Sequence, residues 1–168
     1  MLDAGLFAGQ RFELIDGDLI DKMGQKPPHS YAIGLIHTRL VKIFGVERVQ
    51  VQLPTEAAPA ERERNLPEPD LSVLSEEKDD YRRRHPRSDE LLLAVEVADT
   101  TVRYDATTKR DLYARACVPE YWVLDIPSRR LIVHRDLVQG KFEQIETVPE
   151  SAAVSAGGMQ IPVSELLP

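Results

Sequence analysis

Apolar and polar positions follow two periods along this chain, and each period predicts a different kind of element. Residues 11–15 and 18–21 flank Asp16-Gly17, a dipeptide that accepts the positive φ angles of a two-residue turn, so a β-hairpin is expected first. Lys26-Pro27-Pro28 then breaks the pattern. Ser30 suits a helix N-cap, Ile33, Ile36, Leu40 and Phe44 share one face, and Gly45 suits a C-cap, which predicts a sheet-packed helix over 30–44. Val49, Val51 and Leu53 alternate with Gln50 and Gln52, the period of a strand buried on one face. The proline-rich, charged stretch 54–69 reads as loop, 70–74 as a short strand, and the hydrophilic stretch 75–90 as an exposed excursion or short helix.

Residues 91–97 are apolar at both alternating sets of positions, the signature of a central strand covered on two faces, with Glu96 the exception inside it. A helix is expected from Arg103 or Asp105 to Ala116, ending before Pro119. Strands follow at 121–125 and 131–134, separated by Pro127-Ser128-Arg129, then an edge strand at 142–147 and a helical turn at 163–167. The order makes an α/β (α+β) domain with a mixed central β-sheet flanked by helices and an N-terminal β-hairpin.

The length of 168 residues suits a single domain over 1–168. Lys and Arg number 21 against 28 Asp and Glu, a net charge of −7, which excludes a simple basic coat for nucleic acid. The longest strictly apolar run is five residues, 91–95, far below the roughly 20 that span a bilayer. Asp3 stands where a signal peptide has a positive flank, and Cys117 has no second cysteine to pair with, so a reducing cytoplasmic setting is expected. The four histidines lack zinc spacing, and no glycine-rich loop suggests nucleotide binding.

Three residues stand where their chemistry is out of place. Glu96 in an apolar strand costs several kcal/mol (~3–5) unless neutralised, so either it ligates a metal or it faces water at the strand mouth. Asp70 follows Pro69 at the start of a short strand, and adjacent strands can bring it to Glu96. Two carboxylates sharing a point repel, and Mg²⁺ removes that penalty with only one or two protein carboxylates. Lys109 falls on the stripe Asp105, Lys109, Leu112, Tyr113, Ala116, which holds the apolar positions of its helix and faces the sheet. It reaches either Glu96 or Asp105, one turn away. Two acids and a lysine around a divalent metal suit phosphodiester hydrolysis.

Pro69-Asp70, Val95-Glu96-Val97 and the run Tyr104-Asp105-x3-Lys109-x3-Tyr113-Ala114-x-Ala116-x-Val118-Pro119-Glu120-Tyr121-Trp122-Val123-x-Asp125 resemble the Uma-two family of endonucleases. That family belongs to the PD-(D/E)xK, or restriction-endonuclease-like, superfamily. The resemblance implies a Mg²⁺- or Mn²⁺-dependent endonuclease acting on DNA, with Asp70, Glu96 and the carbonyl of Val97 as metal ligands. It also implies a catalytic lysine moved from the strand, where Ala98 now stands, to Lys109, and an additional acid at Glu13. A 5′-phosphate product and a homodimer that addresses both strands follow from the same likeness. Two departures stand out: Asp99-Thr100-Thr101 replaces a Ser-Pro-Ser-like turn, and Cys117, expected as a packed helix-end residue, replaces Gly.

Weaker signals are Arg82, Arg83, Arg84 and Arg87, whose charge is nearly cancelled by the acids before them, and Arg129, Arg130 and Arg135. His29, about one turn before Ile33 on the inward stripe, either approaches the site or, the favoured reading, is a satisfied helix-start histidine, and Tyr121 and Trp122 read as sheet packing in preference to base stacking. A catalytically inactive interaction or accessory module that keeps this fold is the alternative to the endonuclease.

Overall fold

The structure, a computed structural model, describes residues 12–22, 25–76 and 79–168. Its centre is a six-stranded sheet in the order β3 (Val49–Val51), β4 (Leu71–Leu74), β5 (Leu91–Ala98), β6 (Glu120–Asp125), β7 (Arg130–Val138), β8 (Lys141–Pro149). All neighbours are antiparallel except β5 and β6, which run parallel and are joined by a helical crossover, so the sheet is mixed. Two hairpins stand outside it, β1 (Phe12–Ile15) with β2 (Asp18–Asp21) and β9 (Ala153–Ala156) with β10 (Met159–Pro162). The first turns on Asp16 and Gly17, both at positive φ, as expected; the second was not anticipated from the sequence.

Strand β5 divides the core. Leu93, Val95 and Val97 face α1 (Pro27–Phe44), together with Ala32, Ile33, Ile36 and Leu40. Ala94 and Ala98 face the other way, against Tyr113, Ala114 and Ala116 of the crossover helix. Both faces are covered, and Glu96 therefore lies between layers and not at a wet mouth. The crossover consists of α2 (Val102–Tyr104), a π-helical segment (Asp105–Lys109) and α3 (Arg110–Arg115). Arg110 N–H reaches back five residues to the Asp105 carbonyl, which also accepts the Tyr121 hydroxyl at 3.0 Å and so ties this segment to β6.

Local expectations changed at three points. Helix α1 begins at Pro27, with Lys26 and not Ser30 as N-cap, because proline's fixed φ and missing N–H cost nothing in a first turn. Strand β3 stops at Val51: Gln52 adopts φ 52°, and Leu53 turns outward. Cys117 is exposed, not packed, and holds the left-handed position after α3 at φ 62°. Glycine suits that φ, which accounts for the residue expected there.

Candidate functional site

The antiparallel pairing of Leu71 with Val95 places Asp70 opposite Glu96 one step further along the same two strands. Both carboxylates are buried. They line a cavity of about 290 Å³ that also meets Glu13, Lys22, His29, Val97, Asp105 and Lys109. Val97 N–H donates to Asp70 Oδ2 at 2.9 Å, and Gln52 reaches Oδ1 at 3.4 Å. His29 Nε2 lies 3.2 Å from Oδ2 and Lys22 Nζ 3.9 Å from Oδ1. Burial raises the Asp70 pKa, but His29, Lys22 and the Val97 amide outweigh it, so the carboxyl titrates below its usual range.

Glu96 behaves differently. Burial pushes it up to about 8, the neighbouring Asp70 charge adds to the shift, and Lys109 opposes it without prevailing. Its Oε1 accepts from Lys109 Nζ and from the Tyr113 hydroxyl, each at 2.9 Å. One carboxylate thus stays ionised while its neighbour holds a proton more readily than an ordinary glutamate.

Lys109 is enclosed by acids: Glu13 Oε1 at 2.8 Å, Glu96 Oε1 at 2.9 Å and Asp105 Oδ1 at 3.9 Å. Burial pulls its pKa down, yet the charges of Glu96, Glu13 and Asp105 move it upward overall, so the ammonium persists. The crossover helix delivers it because Asp105, Lys109, Leu112, Tyr113 and Ala116 all lie on the buried stripe. Glu13 arrives from β1, whose hairpin is held to the chain by the Leu14–Leu66 bridge, and its Oε2 accepts Glu68 N–H at 3.3 Å. Asp105 is fixed on its other oxygen by Thr101 Oγ1, which donates at 2.5 Å.

The donor set suits a hard divalent cation. It offers carboxylate oxygens whose mutual repulsion already shows in the raised Glu96 pKa, together with the backbone at Val97. Among the described residues no group of three or more acids, histidines or cysteines is arranged so that it could hold a metal ion.

Asp70, Glu96, Val97, Lys109 and Glu13, singled out from the sequence, all line this one cavity. Asp99 is engaged at its mouth, 3.0 Å from Lys26. Five of the basic candidates elsewhere are held by acids: Arg84 and Arg87 by Glu90, Arg129 by Glu150, Arg130 by Asp125 and Arg135 by Glu120. A larger, shallower hollow of about 760 Å³ beside Arg129 and Glu150 shares no residue with the acidic cavity. Lys22 gave no signal in the sequence beyond its place after the hairpin, whereas His29, placed by the sequence on the inward stripe a turn before Ile33, lines the cavity and so follows the less favoured of its two readings.

Comparison with known proteins agrees with this architecture. The Uma2 family model, described as "Putative restriction endonuclease", matches residues 3–164. No curated protein sequence matches. Among solved structures, a crystal structure described as a "putative nuclease" from Anabaena variabilis superposes with a TM-score of 0.69 at 14% identity, covering 92% of this chain and 88% of that one. At that identity the likeness establishes the fold.

Proposed function

This chain belongs to the Uma2 family, whose model spans nearly all of it, and from that premise we propose a metal-dependent endonuclease that hydrolyses DNA phosphodiester bonds in the Asp70–Glu96 cavity. The observation that carries the reading is the register of β4 on β5, which sets two buried carboxylates face to face beside a buried lysine. Asp70, Glu96 and the Val97 carbonyl are the residues that would hold Mg²⁺ or Mn²⁺. Bound there, the ion supplies Lewis-acid polarisation of a phosphoryl oxygen and lowers the pKa of a water.

The residues of the chain do the rest. Lys109 and Tyr113 orient Glu96 through its Oε1, and Glu13 and Asp105 hold Lys109 against it. Asp70 is held by the Val97 amide and stays ionised for the cation. Attack is in line: the oxygen of a water bonds to phosphorus as the bond to O3′ breaks. The water loses one proton and O3′ gains one, leaving a 5′-phosphate and a 3′-hydroxyl. Cutting both strands of a duplex then calls for a second copy or a second encounter, so nicked circles are expected to precede linear product.

The test is incubation of purified protein with supercoiled plasmid and single-stranded DNA in Mg²⁺ or Mn²⁺, with EDTA as the control. Nicking that needs metal and disappears in Asp70→Ala and in Glu96→Ala is the expected result. Metal-dependent nicking that survives both substitutions together would sink the assignment. No cleavage under any condition would favour an inactive module of the same fold.

A further inference from the structure

Charge builds on the phosphoryl oxygens during attack, and a side-chain cation aimed at the phosphate stabilises it alongside a metal. Lys109 is poorly disposed for that. Its side chain is only 4% exposed, and two close carboxylates with a third nearby surround its three ammonium protons. A phosphate approaching it would have to enter a pocket of buried acids.

Lys22 is disposed differently. It follows β2 directly, lines the same cavity and is 15% exposed. Its Nζ donates to the Glu68 carbonyl at 2.5 Å, which fixes the head group. Its carboxylate neighbours, Glu68 Oε1 at 3.7 Å and Asp70 Oδ1 at 3.9 Å, lie beyond hydrogen-bond reach. The ammonium therefore keeps donors for a ligand while standing beside the Asp70 oxygen. Lys26 directly precedes α1 and His29 lies in its first turn, and with Lys22 they are the basic residues other than Lys109 that line the cavity among the described residues, with Asp99, Thr100 and Thr101 also lining it.

We propose that Lys22 contacts the phosphate of the nucleic-acid substrate, and that Lys109 is a positioning residue which orients Glu96. The proposal rests on the endonuclease reading for its substrate class. It assigns the phosphate contact to the hairpin side of the cavity and not to the crossover helix.

The experiment measures binding of a fluorescein-labelled duplex by anisotropy, in Ca²⁺ and in EDTA, across a salt series. Wild type is compared with Lys22→Met and Lys22→Arg, and cleavage in Mg²⁺ is followed in parallel. Because Lys22→Met also removes the bond to the Glu68 carbonyl and a positive charge beside Asp70, its urea unfolding is measured first and binding is compared under conditions where both proteins are fully folded. Lys22→Met is expected to weaken binding in Ca²⁺ about ten-fold and to lower the slope of log K against log salt by about 0.9, the signature of one lost phosphate contact. Lys22→Arg should restore the slope. Unchanged binding and slope in Lys22→Met, with cleavage intact, would overturn the Lys22 assignment and leave the endonuclease reading standing. A lost contact in a wild type that binds but never cleaves would uphold Lys22 and overturn the nuclease chemistry. A wild type that binds no DNA in any divalent metal overturns both.

Discussion

Lys109 shows how one side chain can determine whether a buried cluster is tolerable. Removing it leaves Glu13, Glu96 and Asp105 together out of water, and uncompensated buried charge costs about 3–5 kcal/mol. Lys109→Ala should lose that much stability by urea unfolding near neutral pH, and the deficit should shrink in acid as the carboxyls take up protons. In the wild type the Lys109 pKa is raised, so its contribution is fully present below its unfolded value and declines only as pH rises through the folded one. Cys117 makes the opposite case. It holds a left-handed φ that costs a side-chain-bearing residue about 1–2 kcal/mol, partly offset by the greater chain freedom glycine gives the unfolded state. Cys117→Gly should therefore gain about 0.5–1 kcal/mol, a rise of a few degrees in Tm.

Among the elements, the β9–β10 hairpin was not anticipated, although Gly157-Gly158 between two four-residue strands is a dipeptide that suits a two-residue turn. It docks on the end of α1 through its turn. A Cβ on Gly157 would fall 2.7 Å from Ile43 Cγ2 and about 3 Å from the Phe44 ring, whereas one on Gly158 would meet open space. Both have positive φ, so Gly158→Ala measures the backbone cost alone, roughly 1 kcal/mol, and Gly157→Ala adds an overpacking penalty of about 1–3 kcal/mol. Thermal melts of the two variants side by side read that difference. Strand β7 carries a second test. His134 stacks on Tyr121 and meets the Phe142 ring at a tilt, and its Nδ1 lies 3.1 Å from the Tyr121 carbonyl. Burial lowers its pKa, so between the folded and unfolded values the unfolded chain binds more protons and stability falls as pH falls below 6.5. His134→Phe should flatten that part of the stability profile relative to wild type.

Across the chain, the charge of −7 acts at longer range than any contact. The cavity itself combines more acids than bases, so a polyanion is repelled until a cation is bound. Duplex binding is expected to be weak in EDTA, stronger in Ca²⁺ and steeply reduced between 50 and 200 mM salt. Binding that ignores both metal and salt would contradict this electrostatic picture.

Much of the fold and the central part of the site could be read without coordinates, because Glu96 and Lys109 violate the apolar pattern around them. A charge placed where burial is expected is a strong signal, since its cost demands a partner. The alternation along 91–97 and the stripe through 105–116 then indicate which faces those residues share. Glu13 and Lys22 gave no such signal, and His29 gave only its place on the inward stripe of α1. A hairpin strand alternates polar and apolar residues whether or not it covers anything, and the residues after it follow no period. Their meeting with Asp70 depends on the β1–β2 hairpin lying against the loop at Leu66 and on α1 starting at Pro27, three residues before the cap that local preference favours. Pattern and burial cost thus dictate the sheet, its two covered faces and the acids within it. Which cation faces the open side of the cavity depends on long-range docking of elements that local chemistry leaves free.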